Sequence, residues 1–135
     1  MEMIELIARR FRALGEPYRL RILQKLQMGE KTVGELVTEL DGNQSNVSKH
    51  LKIMYETGLV SRRRLGMSVS YAISDPTIFQ LCSLVSRSEA QRREQELEEL
   101  SGNVSAKRNT RKPFAPSSRN PFFLPTVVLL TLDEL

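Results

Sequence analysis

The stretch from Asn43 to Gly66, NQSNVSKHLKIMYETGLVSRRRLG, leaves the chain few folds to choose from. Val47, Leu51 and Met54 recur at spacings of four and seven, one face of a 3.6-residue repeat. Ser45, Lys49 and Lys52 fall on the opposite face, with Asn46 and Ser48 on its flanks. Asn43 stands where an N-cap belongs, its side chain able to accept from a backbone N–H that lacks a partner inside the helix. Thr57-Gly58 stops the helix, and a strand-like run carrying Arg62, Arg63 and Arg64 follows at once. Across this stretch Lys49, Lys52 and the three arginines stand against a single acid, Glu56. Such a helix buries one side and offers hydrogen-bond donors and positive charge on the other. That combination suits the major groove of double-stranded DNA.

The upstream residues supply a support for it. Ile4, Ile7, Ala8, Phe11 and Leu14 have helical spacing and predict a first helix that Gly15 ends. Pro17 opens a second helix, where its missing N–H costs nothing, and Leu20, Ile22, Leu23 and Leu26 form its apolar face. Thr32 followed by Glu35 is a capping box, predicting a third helix with Val33, Leu36, Val37 and Leu40 inward. Asp41-Gly42 is a turn signal. Two helices joined by so short a turn form a helix-turn-helix, whose second member enters the groove.

Downstream, Leu59 to Arg64 and Val69 to Ile73 read as two short strands around Leu65-Gly66-Met67-Ser68. Val69, Tyr71 and Ile73 alternate with Ser68, Ser70 and Ala72, as in a half-buried strand. The hairpin makes a wing that carries Arg62, Arg63 and Arg64 towards the phosphates beside the groove. After Asp75-Pro76 a long helix is predicted from about Thr77 to Leu100. Ile78, Leu81, Cys82 and Val85 form its apolar stripe, and a highly charged second half, SEAQRREQELEEL, forms a solvated extension.

Three blocks, ALGEPYRLRIL, QSNVSKHLKIMYETGLV and RRRLGMSVSYAI, resemble the ArsR/SmtB family of winged-helix transcriptional repressors. The resemblance covers roughly residues 8–85. It implies a mainly α fold with a small β-hairpin, a winged helix-turn-helix that dimerises through its first and last helices. It also implies a homodimer on a palindromic operator, with Gln44–Thr57 as recognition helix. By that analogy Ile4, Ile7, Phe11, Ile78, Leu81, Cys82 and Val85 line the dimer interface, although periodicity alone would make the first three ordinary core. Two departures stand out. The family turn usually reads glycine and then an apolar residue, where this chain has Asp41-Gly42, so a small hydrophobic contact is lost. The wing tip carries Leu65 and Met67 where polar or basic residues are usual.

Base readout is expected from Gln44, Ser45, Asn46 and Lys49, because Gln and Asn can pair with adenine and Lys can donate to guanine. Phosphate contacts are expected from Ser48, His50, Lys52, Arg62, Arg63 and Arg64. Metal sensing in such families needs thiolates or imidazoles. One family site is a Cys-x-Cys pair where this chain has Thr32, Val33 and Gly34; another needs histidines on the last helix, and none follows Asp75. With one histidine and one cysteine in the chain, no metal and no cofactor is expected. Cys82 is a possible redox switch, but its apolar neighbours favour an inert thiol. His50, on the flank of its helix, does not converge with Ser45 into a catalytic set. The chain is therefore not expected to be an enzyme.

A net charge of +4 and a pI near 9.5 fit a polyanionic partner. A lone cysteine fits a reducing compartment. The N-terminal Met1-Glu2-Met3-Ile4-Glu5 is unlike a signal peptide, and the longest apolar run, Phe122 to Leu132, is too short to span a bilayer. A cytoplasmic protein with no membrane partner is expected. Residues 1–101 are read as the DNA-binding and dimerisation domain. Residues 102–135, with four of the six prolines and three of the five phenylalanines, are read as a disordered tail holding a short apolar segment. Two other readings remain. One is a regulator switched by a ligand or by redox chemistry at Cys82 or the dimer seam. The other is a winged-helix protein-interaction module with the tail as docking peptide.

Overall fold

The computed structural model describes residues 1–102. The expectations for the tail therefore lie outside the described residues, apart from Gly102. Five helices and three strands follow in the order α1 (Met3–Leu14), α2 (Pro17–Leu26), β1 (Lys31–Thr32), α3 (Val33–Glu39), α4 (Gln44–Glu56), β2 (Val60–Leu65), β3 (Ser68–Ile73) and α5 (Thr77–Leu100). The chain divides into two compact units at Pro76.

The first unit is built around α4. Val47, Leu51 and Met54 are completely buried, together with Ile22 and Leu23 of α2, Leu36 of α3 and Leu59 at the entry to β2. Truncating a leucine in such a site costs about 2–5 kcal/mol, because the cavity left behind collapses only in part. Local chemistry sets the helix ends. Pro17 starts α2, and the Glu16 carboxylate accepts from the Tyr18 N–H at 3.2 Å. The Thr32 hydroxyl accepts from the Glu35 N–H while the Glu35 carboxylate accepts from the Thr32 N–H, each at 3.2 Å. Asn43 accepts from the Asn46 N–H at 2.9 Å. The Pro17 start, the Thr32–Glu35 box and the Asn43 cap follow the sequence reading, and the Glu16 cap adds to it. Of the apolar positions foreseen on α3, only Leu36 is fully buried; Val33, Val37 and Leu40 are half-buried.

The sheet corrects the two-stranded wing. Lys31–Thr32 adds a third strand, and the order is β1-β3-β2, antiparallel throughout. The central strand is β3, with Ser70 opposite Arg63 on one side and Thr32 on the other. Ser70, foreseen on the exposed face, is 4% exposed. At the hairpin tip Leu65 pairs with Ser68, leaving Gly66-Met67 as a two-residue loop, with Gly66 at φ 59°. A positive φ at the first loop residue favours glycine there. The Met67 side chain is fully exposed.

The described residues leave the apolar face of α1 largely uncovered. Ile4, Ile7 and Phe11 are 75%, 47% and 53% exposed, and only Ala13 and Leu14 are buried. Amphipathic spacing identifies a face that needs covering and cannot say whether the cover lies in the same chain. In the second unit, the described part is α5. Ile78 and Phe79 are buried, Leu81 and Cys82 half-buried, Leu84 and Val85 exposed, and every residue from Ser88 to Leu100 is exposed. No described helix is long and apolar enough to cross a membrane.

Candidate nucleic-acid interface

The turn between α3 and α4 uses two residues in an unusual order. Asp41 takes φ 50°, a left-handed conformation in which Asp and Asn are the most tolerated residues after glycine. Gly42 follows, and a Cβ there would collide with the Tyr18 hydroxyl. The turn is instead closed by the Tyr18 hydroxyl from α2. Tyr18 in turn lies against His50, with ring centroids 5.1 Å apart.

Along α4 the two faces separate cleanly. Gln44, Ser45, Ser48, Lys49 and Lys52 are exposed and Asn46 is half-buried at its flank. The structure therefore brings Gln44, Ser45, Asn46 and Lys49 together at the N-terminal end of the helix. That end also carries the positive pole of the helix dipole. His50 is engaged elsewhere. Its ring is half-buried against Tyr18, and its Nδ1 lies 3.4 Å from Nη1 of Arg19. Burial, then the charge of Arg19, hold its pKa below the ordinary value, with Glu16 acting in the opposite sense.

Alternation along β2 splits the arginine triplet, because successive strand residues point to opposite faces. Arg62 stacks 4.2 Å from the ring centroid of Tyr55, near the C-terminal end of α4. This cation–π contact ties the wing to the recognition helix at about 0.5–1 kcal/mol for an exposed pair. Arg64 shares that face of the strand. Arg63 points to the other face and meets Glu30 in a two-pronged ion pair, both bonds 2.7 Å. The triplet is therefore not one contiguous patch.

Two functional supports were not foreseen. Arg19 donates through Nε to the Ala13 carbonyl and through Nη2 to the Arg12 carbonyl, closing the last turn of α1. Arg10 of α1 forms an ion pair with Asp75, just ahead of α5. Arg10 and Asp75 are 65 residues apart, and Arg19 reaches back across the α1–α2 turn; both act through long flexible side chains that no local period announces. Asp75, the one candidate metal ligand at the start of α5, is thus paired with a cation. Among the described residues no group of three or more His, Cys, Asp or Glu could hold a metal ion.

Residues 16–62 match the family described as bacterial regulatory protein, arsR family. The chain is 42% identical over 77 residues to a probable mercury resistance operon repressor from Streptomyces lividans. That alignment takes in 57% of this chain and 62% of the relative, so the chain spans less than two thirds of that protein's length. Among solved structures, the Mycobacterium tuberculosis protein Rv0081 is 30% identical, with a TM-score of 0.64. The match covers 72% of this chain and 98% of that one. The chain belongs to the ArsR family of bacterial regulatory proteins. A second structure of the family fold is a homodimeric winged helix-turn-helix DNA-binding domain, a fragment of residues 1–100 from Mycobacterium bovis. It is 30% identical with a TM-score of 0.61, covering 66% of this chain and 82% of the fragment. Within the ArsR framework α3 and α4 are the helix-turn-helix, and β2 and β3 are the wing.

Proposed function

We propose that this ArsR-family chain is a sequence-specific DNA-binding transcriptional regulator, a homodimeric repressor acting on a palindromic operator in the cytoplasm. The observation that carries the reading is α4 itself: three completely buried apolar residues seat it, and its N-terminal half offers Gln44, Ser45, Asn46 and Lys49 outward. In this reading those four side chains meet base edges, and Ser48, Lys52, Arg62 and Arg64 grip phosphates. Residues 1–101 form the DNA-binding and dimerising part. A second copy covers the α1 face of Ile4, Ile7 and Phe11 and the α5 stripe of Leu81, Cys82 and Val85. Two-fold pairing of the subunits then matches two-fold symmetry in the operator. No catalytic role and no metal enter this reading.

Selection of DNA from a random pool by the purified chain tests it. A palindromic consensus should emerge, and Gln44→Ala should relax preference at one position per half-site by about 1–3 kcal/mol. Failure to enrich any sequence would reject the reading.

A further inference from the structure

Arg63 and Arg64 are neighbours in sequence that a strand sends to opposite faces. On its own face Arg63 donates through Nε to Oε1 of Glu30 and through Nη2 to Oε2, both at 2.7 Å. This is the planar, two-bond match of a guanidinium to a carboxylate. Glu30 stands one residue before β1, and β1 lies on the far side of β3 from β2. The pair therefore bridges the central strand. Beneath it is Ser70, the residue of β3 opposite Arg63 and Thr32. Ser70 is buried. Arg63 chiefly, with Ser70, holds the Glu30 carboxyl below its ordinary range.

Lone exposed ion pairs contribute little to stability. Two-pronged Arg–carboxylate pairs are an exception, and this contact is one. Its geometric effect exceeds its energy. The wing tip, from Arg64 to Ser68, is exposed throughout. Contacts at the base of the hairpin must therefore set where it points. Arg62 on Tyr55 restrains one face, and Arg63 on Glu30 restrains the other.

We infer that Arg63 is a positioning residue, which braces the wing to β1 through Glu30 and does not itself grip DNA. Arg64, on the opposite face, is a wing arginine that meets phosphate. This inference rests on the DNA-binding role proposed above.

The test uses the whole chain with Arg63→Glu, Glu30→Arg, the exchanged pair Glu30→Arg/Arg63→Glu, and Arg64→Ala. Two quantities are measured: amide hydrogen exchange of β2 and β3 without DNA, and affinity for the selected operator across a salt series. Arg63→Glu should speed exchange in the hairpin and weaken binding about tenfold or more. The exchanged pair should recover both, since the brace is rebuilt with the local charge unchanged. Arg64→Ala should leave exchange alone and make the salt dependence shallower by about 0.9 in the log–log slope, the loss of one phosphate contact. Recovery of exchange without recovery of affinity would make Arg63 a DNA contact and overturn the inference. Hairpin exchange unchanged in all variants would overturn it too. A parent chain that binds no sequence selectively would remove the regulatory reading, while the exchange data would still decide whether Glu30 braces Arg63.

Discussion

The Tyr18 hydroxyl fills the space that a Cβ on Gly42 would need, so an aromatic residue of α2 closes the turn of the helix-turn-helix. The hydroxyl is buried and has no hydrogen-bond partner among the described residues. The contact therefore contributes shape at some cost in polar satisfaction. It holds the turn and, through the ring contact with His50, the first half of α4.

Gly42→Ala should destabilise the chain by about 1–3 kcal/mol in urea unfolding, the usual range for overpacking. Tyr18→Phe should be neutral or stabilising, because a buried unpaired hydroxyl is removed. In the Tyr18→Phe background Gly42→Ala should cost much less, since the nearest remaining atoms are the Tyr18 ring carbon at 3.5 Å and Val47 Cγ2 at 3.6 Å. Additive effects of the two changes would show that the close approach does not constrain the turn.

His50 gives stability a pH dependence of known sign. Its folded pKa lies below the ordinary 6.5 through burial first and then Arg19. The unfolded chain thus binds the proton more readily, so the contribution of the neutral ring is complete above about 6.5 and is lost as pH falls through the folded value. Because His50 is the sole histidine, its ring resonances report the folded pKa directly by NMR. His50→Gln should remove the loss of stability that opens below pH 6.5. The Glu30 carboxyl, also held low, contributes only in a lower window, opening below 4.5. A folded His50 pKa at or above 6.5 would refute this account.

Ile7→Glu should leave the helical content of the subunit unchanged, because Ile7 is 47% exposed in the single chain. If α1 lies in the seam of the proposed homodimer, the substitution should raise the dimer dissociation constant by roughly 30-fold, the effect of losing one strong interface side chain. Sedimentation over a concentration series reads this out. An unaltered dimer would place the seam away from α1.

Burial pushes the Cys82 thiol above its ordinary value of 9.0, which keeps it protonated at neutral pH and disfavours oxidation. Mild peroxide should leave its mass and the operator affinity unchanged. An oxidised Cys82 accompanied by weaker binding would restore redox control as a mechanism.

What the sequence by itself determined were the features whose physics is local. Caps at Thr32 and Asn43, the proline start at Pro17, and the buried stripe of Val47, Leu51 and Met54 depend on residues a few positions apart. Such interactions leave a period or a pairing that can be read directly. Tertiary structure decided the rest. The strand Lys31–Thr32 is too short to show a period, and only its pairing with Ser70 and Tyr71 makes it a strand. That pairing turned Ser70 inward and set Glu30 within reach of Arg63, 33 residues away. The identical side chains Arg62, Arg63 and Arg64 consequently acquired different surroundings. Composition could announce their charge, but the partner each one faces depends on which chain segments the fold brings together.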